Sequence, residues 1–395
     1  MMPGLLPFLL ILLVLAALLR VDFFFSIVYL LFAVYLLSRL WVRWASKSIR
    51  VRRRFVDHAY YGDQVSVRLD VRNAGWLPVP WLAMHESLPV QLGAPAGFRR
   101  VFGLGSRGRQ RFEYTLTCRQ RGYYVVGPLS MELGDLLGVA PSGRVQLPLT
   151  HLVVYPKVVP LAALGLPTRS PQAVLRARSP LFEDPTRVMG VRDYQRCDSP
   201  RRIHWTATAS AGRLLVKQYE PGIARETLIC LDLCREGYGL RQRYDASELA
   251  IVVAASIAHH IAVQEGLPVG LTTEALDPLV EDTVRFFVPP RRGRAHAIQV
   301  LEVLARAQLA DGVPLSELLR RGSADLSWGS TIVAITGQES AELLDNLAHV
   351  RRAGFAVSLI LVRPGRPSAE LEKRAELAEV SVRRVWHERD VEMWS

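Results

Sequence analysis

Two stretches of this chain combine residue types that core packing alone does not call for. The first is Asp232-Leu-Cys234-Arg-Glu236, which follows the apolar run Thr227 to Leu233. An acid just beyond a strand end can offer hard oxygen to a divalent cation, with Glu236 able to add a second carboxylate, and it can equally cap a loop or a helix N-terminus. The thiol of Cys234 is a poor magnesium ligand, and a strand-end thiol with no base supplied by the sequence is inert, so no catalytic residue is assigned. The second stretch is Gly190 to Glu220, GVRDYQRCDSPRRIHWTATASAGRLLVKQYE, which has no clear helical or strand period. Arg192, Asp193, Asp198, Arg201 and Arg202 are costly to desolvate unless paired. Arg192 and Arg202 are expected to bridge to Asp193, Asp198 or Glu220, with Tyr194 and Trp205 packing over the arm where it docks between the two domains; the competing role is a cationic surface for an acidic partner. His204, His259 and His260 have no metal partner at ligand spacing and are expected to be satisfied core or surface histidines. Neither a P-loop nor a G-x-G-x-x-G follows a strand, which argues against nucleotide hydrolysis.

The elements that must position these residues change character along the chain. From Arg50 to about Pro160 the period is two: Val65, Val67, Leu69 and Val71 alternate with Ser66, Arg68 and Asp70, and Phe112, Tyr114 and Leu116 alternate with Glu113 and Thr115. Turn chemistry at Asn73-Ala-Gly75, Pro78 to Trp81, Gly103 to Gly108 and Gly127-Pro128 separates the strands. This pattern predicts a small antiparallel sandwich of immunoglobulin type. Proline-rich composition makes Pro160 to Asp184 a linker. Beyond it, strands are expected at Thr227 to Leu233, Pro268 to Thr272, Ser330 to Ile335 and Ala356 to Val362. Helices are expected at Tyr244 to Gln264, Arg294 to Leu309, Ser340 to Arg352 and Ser368 to Ala378. That alternation predicts a doubly wound, mostly parallel sheet whose ligands gather beyond the carboxyl ends of the strands.

The N-terminus predicts location. Pro3 to Leu19 carries no charge, Arg20, Val21 and Asp22 interrupt it, and a second apolar run follows from Phe23 to Leu37, so a transmembrane hairpin is expected. Arg39, Arg43, Lys47, Arg50, Arg52, Arg53 and Arg54 follow with no acid until Asp57, which by the positive-inside rule holds everything after Ser38 in the cytoplasm. Tyr35, Trp41 and Trp44 suit the interfacial belt, and the basic cluster is read mainly as a topology signal that can also meet anionic lipid. The net charge of +12 favours anionic neighbours, but no nucleic-acid module surrounds the basic residues. Cys118, Cys197, Cys230 and Cys234 show no C-x-x-C spacing or paired framework and are expected as free thiols. The expected division is 1–45 hairpin, 46–160 sandwich, 161–225 linker and box, and 226–395 α/β domain.

Gly190, Arg192, Tyr194, Asp198, Arg202, Ile203 and Trp205 fall at the spacing of the signature box of the bacterial family called domain of unknown function 58, which the chain resembles. Arg119 to Val139 and Leu152 to Val158 also look like the corresponding region of that family, although Cys197 departs from a common Gly. The resemblance implies a membrane-anchored cytoplasmic protein with a von Willebrand factor A-like C-terminal domain and no established catalytic activity. It implies a MoxR-type AAA+ ATPase as partner, with a transglutaminase-like membrane protein as another. Von Willebrand A-like domains carry D-x-S-x-S where this chain has Asp232, Cys234 and Glu236, and often an Asp where Gly337 follows Thr336. A magnesium ion at such a site would draw on Asp232, Glu236, Thr272 and Thr336; the expectation is a metal-free, cofactor-free fold. The expected function is an interaction or scaffold protein at the plasma membrane. The alternative is a membrane-associated hydrolase or transferase using Asp232, Cys234 and Glu236.

Overall fold

The computed structural model describes residues 22–93, 97–135, 143–161, 183–195, 203–221, 226–365 and 368–392, together with 7–8, 11–14 and 18. Two compact units divide at Lys157 and Val158. In the first, helix α1 (Asp22–Ser48) is one unbroken helix, running past the apolar segment to the start of strand β1. Its 27 residues span about 40 Å, and Phe23–Ser48 is long and apolar enough to cross a bilayer. Phe23, Tyr29, Leu30, Phe32 and Leu37 are exposed along it. Val42 and Ala45, near its end, are buried in the core of the following strands. Most of the first apolar run, and with it the expected hairpin turn at Arg20 and Val21, lies outside the described residues.

Ten strands follow: β1 (Ile49–Arg54), β2 (His58–Tyr60), β3 (Gln64–Asn73), β4 (Val79–Glu86), β5 (Phe98–Leu104), β6 (Arg109–Thr117), β7 (Gly122–Val126), β8 (Leu129–Gly134), β9 (Gly143–Leu147) and β10 (Thr150–Tyr155). They form sheets ordered β1-β3-β6, β2-β10-β7 and β5-β4-β8-β9. The two-residue period is visible in β3, where Val65, Val67, Leu69 and Val71 are buried and the residues between them face outward. Leu69, Leu82, Met84, Leu116, Met131 and Leu133 fill the core. An ion pair is enclosed in this unit: Arg53 lies 2.6 Å from Glu86 with side chains 2% and 0% exposed. The Tyr114 hydroxyl donates to Glu86 Oε2 at 2.7 Å, and Arg53 also donates to the Val126 carbonyl and to the Thr150 hydroxyl. Arg53 therefore does not share the exposed basic cluster expected after the apolar run. Its odd position in β1 turns it inward, while Arg50, Arg52 and Arg54 face solvent.

In the second unit, β11 (Glu183–Asp193) and β12 (Leu215–Pro221) pair antiparallel, with the short helix α2 (Trp205–Ala211) between them. The stretch without a sequence period is thus a hairpin arm. Only four residues of that stretch, Gly190 to Asp193, pair on the first strand before the chain leaves it, too few for an alternation to show, and register shifts between Asp184 and Gly190 interrupt the strand before them. Beyond the arm a six-stranded sheet is built from β13 (Thr227–Leu231), β14 (Val269–Asp277), β15 (Asp282–Arg291), β16 (Thr331–Thr336), β17 (Ala356–Val362) and β18 (Ser381–Val385). Its order is β15-β14-β13-β16-β17-β18, and only β15 runs antiparallel to its neighbour. Helices α3 (Arg243–His259) and α4 (Arg294–Arg306) pack on the strands, as do α5 (Leu315–Ala324), α6 (Ala341–Arg352) and α7 (Ala369–Leu377); α8 (Glu388–Glu392) follows β18. Leu228, Cys230, Ile332, Ala334, Leu359 and Leu361 share one core with α5, α6 and α7. Their neighbours Ile229, Leu231, Val333 and Ile360 point to the other face by strand alternation. Arg243–Gln264 also passes the length and apolarity test for a span, but it is mostly buried within this unit. It is a core helix.

Candidate functional site at the strand ends

Strand β13 is buried on both faces, so the chain reaches Asp232 before it meets solvent. Asp232 stands just beyond β13, and Thr336 closes the adjacent β16. The chain crosses from β13 to β14 on one side and reaches β16 on the other, so the two residues meet where the strand order reverses. The Thr336 hydroxyl donates to Asp232 Oδ2 at 2.7 Å, and the Cys234 backbone N–H donates to Oδ1 at 2.9 Å. Asp232 is only 2% exposed. Burial pushes its carboxyl above the ordinary carboxylate range, against the opposing pull of Thr336 and the Cys234 amide.

Tyr238, which the sequence did not single out, closes the site. Its hydroxyl donates to the Asp232 carbonyl at 2.6 Å, and burial holds that phenol well above its ordinary value. The Tyr238 ring occupies the room a side chain at position 337 would need: a Cβ on Gly337 would sit 2.5 Å from Tyr238 Cδ1 and 2.8 Å from the Gly237 carbonyl oxygen. On the opposite side a Cβ on Gly237 would lie 2.6 Å from Asp232 Oδ2. The signal available in the sequence was the glycine itself, standing where a carboxylate was sought.

The other expected ligands do not converge. Glu236 is exposed in a single 3-10 turn, Arg235–Gly237. Cys234 directs its Sγ to the Gly312 carbonyl at 3.5 Å. Thr272 is a correction: it pairs with Cys230 inside the sheet, short of the strand end, and its methyl faces Gly322 of α5 in the core. A magnesium ion demands near-octahedral oxygen and keeps several waters. Glu236 points to solvent and Thr272 is interior, which leaves Asp232 and Thr336 alone at the strand ends, too few oxygens for that ion. Among the described residues no group of three or more His, Cys, Asp or Glu is placed to hold a metal.

In the arm, Arg192 donates to the Asp193 carbonyl at 3.2 Å, and the side chain that bridges Asp193 is Arg213, at 3.1 Å and exposed on both sides. Tyr194 is half-buried. Trp205 does not pack over the arm as expected: it opens α2, a helix with no buried residue, and is 68% exposed. His204 caps that helix, its Nδ1 accepting from the Ala207 N–H at 3.2 Å. Asp198, Arg202 and Cys197 lie outside the described residues. His260 is buried beside Glu265, and His296 is a core histidine hydrogen-bonded to the Val269 carbonyl.

Residues 190–322 match the family model described as "Protein of unknown function DUF58". The matched segment runs from the arm through β13 and the Asp232 loop into α5, and it takes in the signature box on which the resemblance was read. No curated protein matches the chain. Among solved structures it is similar to the SpRpn10 VWA domain, at 13% identity over 41% of this chain and 88% of that one, with a TM-score of 0.29. It is also similar to the CARDB domain of the PF1109 protein from Pyrococcus furiosus, at 15% identity over 27% and 86%, TM-score 0.20. The pilus adhesin RrgA from Streptococcus pneumoniae is similar at 10% identity over 73% and 42%, TM-score 0.22.

Proposed function

We propose that this protein is a membrane-anchored scaffold: a transmembrane hairpin ending in α1 holds the sandwich at the cytoplasmic face of the plasma membrane, and a doubly wound, von Willebrand A-like unit presents its strand-end loops to a protein partner. The observation that carries this reading is the closure of the strand-end site. Asp232 is spent on Thr336 and the Cys234 amide, and Tyr238 fills the space beside Gly337. A centre sealed by its own side chains supports a role as the keystone of a rigid loop surface, independent of metal, more than a role in turnover. Two surface cavities of about 690 and 410 Å³ lie on the sandwich strands and between α5 and α6, and neither is lined by Asp232.

The partner this reading favours is a MoxR-type AAA+ ATPase, with a transglutaminase-like membrane protein as a further member of the assembly. The test is affinity capture of the full-length protein from detergent-solubilised membranes. The ATPase is expected to co-purify with the wild type and with Glu236→Gln alike, with or without a chelator. Loss of capture on chelation would overturn the metal-independent reading. The rival reading as a hydrolase or transferase draws on the raised carboxyl of buried Asp232, a shift of the kind seen at catalytic acids. It requires a turnover that Asp232→Asn abolishes while capture persists.

A further inference from the structure

We propose that the sandwich carries a second membrane contact, a rim around the end of α1 that binds the headgroups of anionic phospholipids. The proposal rests on reading α1 as a span. Its residues come from three separate parts of the sequence that the fold stitches to the helix exit.

Ser48 ends α1, and its carbonyl accepts from the Ala74 N–H at 2.9 Å. Trp41, seven residues earlier, donates its indole N–H to the Pro78 carbonyl at 3.0 Å. Seven residues are about 10 Å of helix rise, so segment 74–78 runs back along the last two turns, toward the apolar part of the helix. Trp76 lies in the middle of that segment and is 69% exposed, and Trp44, on the facing turns, is 55% exposed. Indoles placed where an exposed apolar helix gives way to polar structure suit the headgroup region, with an apolar body and a polar N–H. The next loop is tied to the same place: the Arg107 N–H donates to the Gly75 carbonyl at 3.0 Å, and the Gly108 carbonyl accepts from Asn73 at 2.9 Å.

Charge on the outer face of β1-β3-β6 is graded toward this rim. Register pairs Arg50 with Arg72 and Arg72 with Arg109, so the row beside the helix exit holds three exposed arginines and no acid. The next row, Arg52-Asp70-Arg111, holds one acid, as does the row beyond it, Arg54-Arg68-Glu113. Asp70 reaches back to pair with Arg109 as well as Arg111. Like charges directly opposite one another weaken a sheet. An anionic surface at that edge neutralises them, and the adjoining indoles and apolar helix identify that surface as lipid.

The test uses full-length protein reconstituted into nanodiscs of phosphatidylcholine alone or mixed with phosphatidylglycerol. A nitroxide is placed at Ser106→Cys in the rim loop or at Tyr61→Cys beside the opposite end of β3, in a Cys197→Ser background. With phosphatidylglycerol present, the label at 106 is expected to be several-fold less accessible than the label at 61 to a water-soluble nickel quencher. Arg72→Gln with Arg107→Gln, and separately Trp76→Ala, should each restore access at 106 without lowering the melting temperature. Equal access at both positions would overturn the proposal, as would shielding that is the same in pure phosphatidylcholine and indifferent to the arginine pair. Failure of the span reading has a different signature: the protein would then elute from size exclusion separately from the discs, which also removes the basis of the rim.

Discussion

Asp232 shows how a position legible in the sequence can sit in a site closed by residues that are not. The sequence identified Asp232 and Thr336, and the structure joins them at 2.7 Å. It could not identify Tyr238, because what matters there is a ring filling the space over a distant glycine, which leaves no trace in spacing. Restoring a side chain at that place should be costly: Gly337→Ala drives a Cβ to 2.5 Å from Tyr238 and is expected to destabilise by about 1–3 kcal/mol in chemical denaturation. The carboxyl itself predicts a pH dependence. Burial holds the folded-state value of Asp232 above its unfolded value, so between the two the folded state binds the extra proton. Stability contributed by this group therefore falls as pH rises through that window and stays lower above it. Asp232→Asn keeps an acceptor for the Cys234 amide and cannot ionise. Relative to the wild type it should gain stability from acidic to neutral pH, and parallel stability profiles for the two proteins would sink the assignment. The buried pair among the strands of the first unit is a different case: Glu86→Ala leaves Arg53 enclosed without its acid, and a loss of about 3–5 kcal/mol is expected by urea unfolding.

Among the elements, legibility followed burial and period. Strand β17 matches the expected Ala356 to Val362 without change, because both of its faces are apolar and its flanks are clear. Helices α6 and α7 start one residue after the expected Ser340 and Ser368, which are their caps, each accepting an N–H three residues on. Strand β15 escaped notice because Pro289 and Pro290 argue against a central strand; it is the antiparallel edge, where proline is tolerated. The opposite edge, β18, was masked by Arg383 and Arg384, and α5 by its shortness and by Gly322, which sits close over Leu228. The arm was missed because its paired run from Gly190 is too short to show a period. Since α2 buries nothing and leaves Trp205 exposed, the arm separates stability from contact. Trp205→Ala is expected to change the unfolding free energy by no more than about 0.5 kcal/mol while weakening capture of the partner from membranes. A large loss of stability instead would return Trp205 to a packing role.

At the scale of the whole molecule, helix α1 and the strands that follow it are one structure, not two parts joined by a leash. The sequence placed the boundary near residue 45, where the apolar run has ended, since hydropathy reports the lipid-sized stretch and is blind to which later turns pack on protein. The structure carries α1 on to Ser48, with Val42, Ala45 and Ile49 in the sandwich core and the Trp41 indole bonded to the Pro78 carbonyl. A helix that enters a folded domain without a flexible joint fixes how that domain is held, which is what graded charge around its exit requires. Two truncations distinguish a continuous strut from a loose leash. A chain beginning at Arg39 keeps Trp41, Val42 and Ala45 and should unfold like the full-length protein's sandwich. A chain beginning at Ile49 loses them, and because burying a Val side chain contributes roughly 1.5–3 kcal/mol, its sandwich should melt measurably lower by calorimetry. Identical melting of the two fragments would mean that the last turns of α1 add nothing to the core, and the rigid coupling of the helix to the strands would fall with it.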